Sequence, residues 1–331
     1  MAVTIKDVAR EAGVSVAPVS RAINGLGSVA PAVRERVLAV AQALAYAPHP
    51  AARALSRRRT HAVGVVLPDL HGEFFSELIR GIGQVARARG LHLLLSSNHG
   101  DASEQAVALQ AMRGRVDGVL VMAPTDAGAG VLSAQLPRGL PAVLINTPGP
   151  GDGRRCILVD NHGGAAAMTR HLVDTGHRRI AFIAGPADNH EARERLRGHC
   201  DALHALLPGT PPWILPGDFD EASGGRAAQQ FLVASQRPDA VFAANDMMAV
   251  GCLHALAAAG VSVPGEVSLA GFDDIPLARH VHPALTTMKV DIAELGARAM
   301  RALIAPVDAE AAAAALPVVP ELVPRQSSRR A

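Results

Sequence analysis

The fold this sequence predicts is a small all-α helix-turn-helix head followed by an α/β body of two lobes with parallel sheets. Three observations predict it. Two short amphipathic segments meet at Gly13 near the amino end. From His61 onward short apolar runs alternate with helical patterns, and after Asp160 the alternation starts afresh. The charge is also uneven: residues 1–60 carry Lys6 and eight arginines against Asp7, Glu11 and Glu35, so a chain of net charge +2 divides into a basic head and a mildly acidic remainder. Such a division is the footprint of one part that meets a polyanion and another that does not. At 331 residues and 49% apolar content the chain is long enough for several domains with a sizeable core. The expected division is 1–47 for the head, 48–60 for a linker and 61–331 for the body. Within the body, one lobe takes about 61–160 and 291–325 and the other about 161–290.

In the head, Thr4 is placed to cap a first helix whose apolar positions Ile5, Val8, Ala9 and Ala12 share a face. Gly13 ends it, because glycine enters the left-handed region without a Cβ penalty. Ser15 stands where its hydroxyl would cap a second helix, with Val19, Ala22 and Ile23 turned back onto the first. Pro31 opens a third helix in which Val33, Val37, Leu38, Ala41 and Leu44 recur at helical spacing and are expected in the core. Pro48, Pro50 and the run Arg57-Arg58-Arg59 mark the linker.

In the body, AVGVVLP, LHLLLSS, VDGVLVM and PAVLIN read as strands of one sheet, and RIAFIAG, WILP, DAVFAAN and VSLAGFDD as strands of a second. Ligands of such sheets sit beyond the carboxyl ends of the strands. Those ends carry Asp69, Asn146, Asp160, Asn245 and Asp273, with Phe74, Phe75 and Phe219 close by in a chain only 3% aromatic.

Several functions find no support. No apolar run is long enough for a membrane span and the amino end lacks a signal-like stretch, so residence in the cytoplasm is expected. Cys156, Cys200 and Cys252 form no CxxC pair and are expected to be buried small hydrophobes. The histidines form no HExxH, so neither a metal nor a cofactor is expected. Gly81-Ile82-Gly83 lies inside a predicted helix, which argues against a dinucleotide loop, and no Ser/His/Asp set has hydrolase context, which argues against an enzyme.

TIKDVAREAGVS, VSRAIN and YAPHPAARAL resemble the head of the lactose-repressor/galactose-repressor family of bacterial regulators. VDGVLVM, GHRRIAFIAGP, RLRG, ANDMMAVG, VPGEVSLAGFDD and PALTT resemble its periplasmic-binding-protein-like body. The resemblance implies an effector-controlled regulator that represses carbohydrate genes, binding palindromic operator DNA as a homodimer. A purine- or nucleoside-responsive regulator is the alternative, and a non-regulatory sugar-binding protein a more distant one. It places Val16, Ala17 and Arg21 at base edges in the major groove, Arg21 having a phosphate contact as its alternative. Thr4, Ser15, Ser20 and Asn24 then position the backbone. Leu55 matches a minor-groove wedge and Arg57 stands beside it; packing on the body is the other reading of Leu55. Pro18 departs from the family's usual hydroxyl residue and removes an amide that Ser15 would have capped. In the body the resemblance assigns effector contacts to Phe74, Asn146, Asp160, Arg195, Phe219, Asn245 and Asp273. Carboxylate, carboxamide and guanidinium groups suit vicinal hydroxyls and an aromatic face suits a sugar ring, so a sugar or sugar derivative is the expected ligand. Each polar position also has a structural reading: Asp273 and Asn245 as helix caps, and Arg195 as a partner of Glu191 or Glu194.

Overall fold

The computed structural model describes residues 3–25, 29–46, 59–123, 129–136, 139–149, 154–306 and 317–328. It falls into two compact units, Met1–His61 with Gly114–Asp117, and the remainder. The expectations placed on Leu55 and Arg57 lie outside the described residues.

The first unit holds α1 (Ile5–Glu11), α2 (Val16–Ile23) and α3 (Pro31–Ala43). Val8, Ala9, Ala12, Val19, Ala22, Val37 and Ala41 form its core. Gly13, at φ +64°, makes the turn. At the start of α1 the Asp7 carboxylate accepts from both the Thr4 amide (3.0 Å) and the Thr4 hydroxyl (2.7 Å), which holds that carboxyl below its ordinary range. Two expectations are corrected. Ser15 occupies the N-cap position of α2 but its side chain caps nothing; a capping hydroxyl accepts from the second or third helical amide, and the third residue here is Pro18, which has none. Leu38 is exposed, about a quarter-turn round α3 from the buried Val37 and Ala41.

The second unit contains two sheets. The first has the order β2 (His92–Ser97), β1 (Ala62–Leu67), β3 (Gly118–Val121), β4 (Ala142–Ile145), β5 (Arg155–Ile157), all parallel. Its connections include α4 (Glu73–Ala88), α5 (Ala102–Met112) and α6 (Ala129–Gln135). The second sheet contains β6 (Ile180–Ile183), β7 (Trp213–Leu215), β8 (Ala240–Ala243), β9 (Ser268–Asp273), β10 (Thr286–Lys289) and β11 (Glu321–Val323), in the order β11-β10-β9-β8-β6-β7. Only β11 runs antiparallel. It is accompanied by α7 (Asn161–Asp174), α8 (His190–Leu206), α9 (Glu221–Leu232) and α10 (Asp246–Ala258). All eight strands read from the sequence are present; the central ones are buried and read as continuous apolar runs, whereas the edge strands β2 and β7 are partly exposed. β5, β10 and β11 were not anticipated: two have three residues, and β10 buries Thr286 and Thr287 rather than an apolar run.

The chain passes between the lobes three times. After β5 it enters the second lobe; after β10 it returns as α11 (Ile292–Ile304), which packs on α4. At this crossing a Cβ on Gly81 would lie 1.8 Å from the Ala293 carbonyl oxygen and one on Gly296 2.3 Å from that of Leu78. Gly81 therefore serves helix packing. The third passage brings Val318 beside Val159 and sends the closing segment into the second sheet, so residues expected with the first lobe up to 325 leave it at about 318. Phe182, Phe231, Phe242 and Phe272 are fully buried in the core of this unit. Of the cysteines only Cys252 is buried; Cys156 and Cys200 are partly exposed, a correction to the expectation for all three.

Candidate functional site: head surface and inter-lobe cleft

On the head, Ser15, Val16 and Ala17 are exposed at the start of α2, and Val16 and Ala17 are apolar surface with no core to cover them. Arg21 lies one turn on, its Nε donating to the Ala17 carbonyl (3.3 Å). Ser20 is half-buried and receives the Asn24 amide at 3.4 Å, while Asn24 itself is 8% exposed and packed against the head. Thr4 remains exposed at the start of α1. Ser15, Val16, Ala17, Ser20 and Arg21 thus present polar and apolar groups at the surface while Val19 between them is buried in the core, and Asn24 adds little to that surface.

In the body, a cavity of 1360 Å³ opens at the carboxyl ends of the strands of both sheets. Its walls include Pro68 and Asp69 after β1, Phe74 and Phe75 at the start of α4, His99 after β2, and Met122 after β3. From the other lobe come Asn189, Glu191 and Arg195, Phe219 after β7, Asn245 after β8, and Asp273 at the end of β9. The volume also takes in a groove between α9 and α10 lined by Gln229, Leu232, His254 and Ala255, so the inter-lobe part is only a portion of it. Phe74, Phe75 and Phe219 thus line the cavity, whereas the other four phenylalanines fill the core.

Arg195 organises the floor. It is 2% exposed, and each of its nitrogens is engaged: Nε donates to Asn161 Oδ1 (2.8 Å), Nη1 to the Ala244 carbonyl (2.6 Å), and Nη2 lies 3.1 Å from Asp273 Oδ1. Its guanidinium carbon sits 3.9 Å from the centroid of Phe272. Burying a guanidinium is costly, and these acceptors together with the aromatic face offset that cost. Arg195 pairs with neither Glu191 nor Glu194; Glu194 is taken by Arg197 at 2.5 Å. Burial pushes the Asp273 carboxyl up to about 6 even though Arg195 pulls it down. Burial raises Glu191 further, to about 7, with Asp273 adding to the rise and Arg195 and the Asn146 amide opposing it. Asp246, just behind Asn245, is also raised by burial while accepting from Thr287 Oγ1 (2.6 Å) and the Ile275 amide (3.0 Å).

The backbone is strained at the same places. His99, Phe219 and Asp273 have φ of 47°, 66° and 112°, a region unfavourable to any residue with a Cβ. Asn245 has the helix-cap role its structural reading gave it, Oδ1 accepting from Met248 N (2.9 Å) at the start of α10; its Nδ2 donates to the Phe219 carbonyl (2.9 Å), and the residue also lines the cavity.

Phe74, Arg195, Phe219, Asn245 and Asp273 are brought together. Asn146 and Asp160 are not; they line a separate cavity of 190 Å³ with Asn161, His162 and His190. Asp160 caps α7 by accepting from Gly163 N (2.8 Å), and Asn146 Oδ1 accepts from Val159 N (3.1 Å). Sequence reasoning did not single out Glu73, His99, Asp218 or Glu191 as cavity residues. Glu191 was weighed as a partner for Arg195 and, with Asn189, as a departure from the family's purine-binding members. Its spacing of four from Arg195 was the available signal, since that places both on one helix face.

A helix-turn-helix head on one unit and a ligand-sized cleft in a two-lobed α/β unit define an effector-controlled DNA-binding transcriptional regulator. Comparison with known proteins agrees at both ends: residues 4–49 match the model of bacterial regulatory proteins of the lacI family, and residues 169–328 that of the periplasmic binding protein-like domain. The chain is 39% identical over 306 residues to the HTH-type transcriptional regulator GalR of Salmonella typhimurium, covering 91% of this chain and 89% of that protein. It is 38% identical over 306 residues to the ribose operon repressor of Escherichia coli, covering 91% and 92%. Among solved structures, the lac repressor dimer bound to operator and an anti-inducer superposes with a TM-score of 0.85 at 27% identity, covering 99% of this chain and 100% of that one. The chain belongs to the lacI family of bacterial regulatory proteins.

Proposed function

We propose that this protein acts in the cytoplasm as a homodimeric repressor of carbohydrate-utilisation genes, without enzymatic activity, and that a sugar or sugar derivative in the inter-lobe cleft controls its hold on a palindromic operator. The observation that carries this reading is the cleft itself. Phe74 from the first lobe, and Phe219 beside Asn245, Arg195 and Asp273 from the second, line it, a combination of apolar ring cover and directional polar groups that fits a sugar. The relatives point the same way, one being a ribose operon repressor and another, at 31% identity and a TM-score of 0.71, a regulator in complex with cellobiose. On DNA, Arg21 reads base edges with Val16 and Ala17 in apolar contact, Thr4, Ser15, Ser20 and Asn24 position the head, and Leu55 with Arg57 engages the minor groove. Asn146 and Asp160 act by shaping the lobe crossover beside the cleft.

The reading is tested by titrating labelled operator with the protein at several concentrations of ribose, galactose and cellobiose. At least one sugar should change operator affinity, and Asp273→Ala should abolish that response at concentrations that fully switch the parent. An Asp273→Ala protein with undiminished sugar response would place the effector outside this cleft.

A further inference from the structure

The amino-end edge of the first sheet carries a charge that the mildly acidic balance of the body conceals. All strands of that sheet are parallel, so their amino ends share one edge, opposite the effector cleft. The helices between them run back against the strands and bring their carboxyl ends to the same edge. α4 closes there with Arg87 and Arg89, which lead into β2; α5 closes with Arg113, and the Gly114 turn (φ +69°) then passes through Arg115 into β3. Between β2 and β3 lies β1, which the linker enters through Thr60 and His61. Arg87, Arg89, Arg113 and Arg115 are exposed, and among the described residues none of their guanidinium groups donates a hydrogen bond or pairs with a carboxylate.

Asp117 is the one carboxylate in the segments 59–61, 87–91 and 113–117, and it is already engaged. Its Oδ1 accepts from the Thr60 amide (2.6 Å) and hydroxyl (2.9 Å), and its Oδ2 from the His61 amide (2.9 Å), which fixes the point where the chain enters β1. The same edge of the second sheet is built differently. There Asp239 accepts from the amides of Arg178 (3.1 Å) and Arg179 (3.0 Å), and the Arg178 guanidinium turns to the Val173 and His177 carbonyls. Helix carboxyl ends favour a cation, but that preference does not account for four guanidinium groups without a counter-charge around the attachment of the linker. We propose that this edge of the body is a second DNA-contacting surface, on which Arg87, Arg89, Arg113 and Arg115 meet phosphates of the operator duplex. The partner follows from charge and connectivity: the linker that carries the DNA-reading head joins the body at this edge, and a guanidinium fork matches phosphate oxygens. Each phosphate so neutralised releases a counterion, adding affinity that does not depend on sequence. The acidic remainder of the body is repelled by the duplex, so the attraction is confined to this edge.

The test titrates labelled operator with the full-length protein, free of effector, at salt concentrations from about 50 to about 200 mM. The double variant Arg89→Gln with Arg113→Gln is compared with Arg197→Gln with Arg237→Gln, which removes the same charge from exposed arginines of the second lobe. If Arg89 and Arg113 each meet one phosphate in both copies of a homodimer, the first variant should lower the slope of log affinity against log salt by about 3.6 and weaken binding at least about tenfold, while the second leaves both near the parent values. Ethylation of individual phosphates should then impair the parent at positions where it no longer affects the first variant. Arg89→Lys with Arg113→Lys, which keeps the charge, should restore most of the slope. Equal slopes for the two glutamine variants overturn the proposal, because the charge would then act only through the general field of the protein. An ethylation pattern identical in parent and first variant also overturns it, as does a loss of slope that lysine does not restore, which would mark a packing defect rather than a missing phosphate contact.

Discussion

Replacing Glu191 by glutamine should alter how stability depends on pH, by an amount the structure sets. The carboxyl is 5% exposed and moved from an ordinary 4.5 to about 7. Since the folded state favours the protonated form, the associated stabilisation is fully present below about 4.5 and is lost as pH rises through about 7. At about 1.4 kcal/mol per pK unit, the loss amounts to about 3 kcal/mol. For a body of this size each kcal/mol corresponds to roughly 2 °C in Tm, so the parent should lose about 6 °C between pH 4.5 and pH 8 through this group alone. Glutamine does not titrate. Thermal unfolding followed by near-ultraviolet circular dichroism across that range should therefore show the Glu191→Gln curve falling less steeply than the parent curve, the variant gaining on the parent as pH rises. Asp246 and Asp273 are also raised by burial, so the difference between the curves is the quantity to read: it reports Glu191 together with its coupling to Asp273. Parallel curves with a constant offset would refute the reasoning, because they would mean that Glu191 is hydrated or permanently compensated in the folded protein.

Two further outcomes follow. Arg21→Ala should alter which sequences are recovered when the protein selects operators from a random DNA pool, whereas loss of a phosphate contact would lower affinity for all sequences alike and reduce the salt dependence by about one counterion. Arg195→Lys should destabilise the body by about 3 kcal/mol, read as a lower denaturant midpoint. Lysine keeps the charge but cannot serve Asn161, Ala244 and Asp273 together, nor lie flat on Phe272. An unchanged midpoint would show that the ion pair with Asp273 alone sustains the floor of the cleft.

Most of the framework was legible because it rests on strong local signals. AVGVVL and AVFA are strands buried on both faces and announce themselves as apolar runs, and Gly13 marks its turn by type. The carboxyl-end rule then places the cleft beyond the strand ends. What failed to show was decided by tertiary contacts. Glu191 sits in His190–Leu206, a helix rich in charged residues that reads as solvated from its sequence, yet the neighbouring lobe elements bury the one face carrying Glu191 and Arg195. Asn146 and Asp160 have the right residue type directly after a strand, but Asp160 turns to the Gly163 amide and Asn146 divides its side chain between the Val159 amide and Glu191, which no periodicity reveals. β10 escaped because Thr286 and Thr287 are satisfied by Ser327, Ser328, Arg325 and Asp246, groups far away in sequence.

The same side chains that shape the cleft also hold its strained backbone. Positive φ at Phe219 and Asp273 costs of the order of 1–3 kcal/mol at each residue. Such conformations persist only where the surroundings over-determine them. Asn245 supplies that restraint for Phe219 by holding its carbonyl, and Arg195 supplies it for Asp273 by pairing with its carboxylate. The groups offered to a ligand are thus fixed before it arrives, which lowers the entropy that binding must lose. One wall belongs to both lobes: Glu73, at the start of α4 in the first, accepts from the Leu277 amide of the second at 2.7 Å and also lines the cavity. A ligand that draws a hydroxyl to Glu73 competes directly with that inter-lobe bond. Occupancy of the cleft and the arrangement of the lobes are then linked energetically, and the linkage is reciprocal: whatever favours one arrangement of the lobes alters ligand affinity by the same factor.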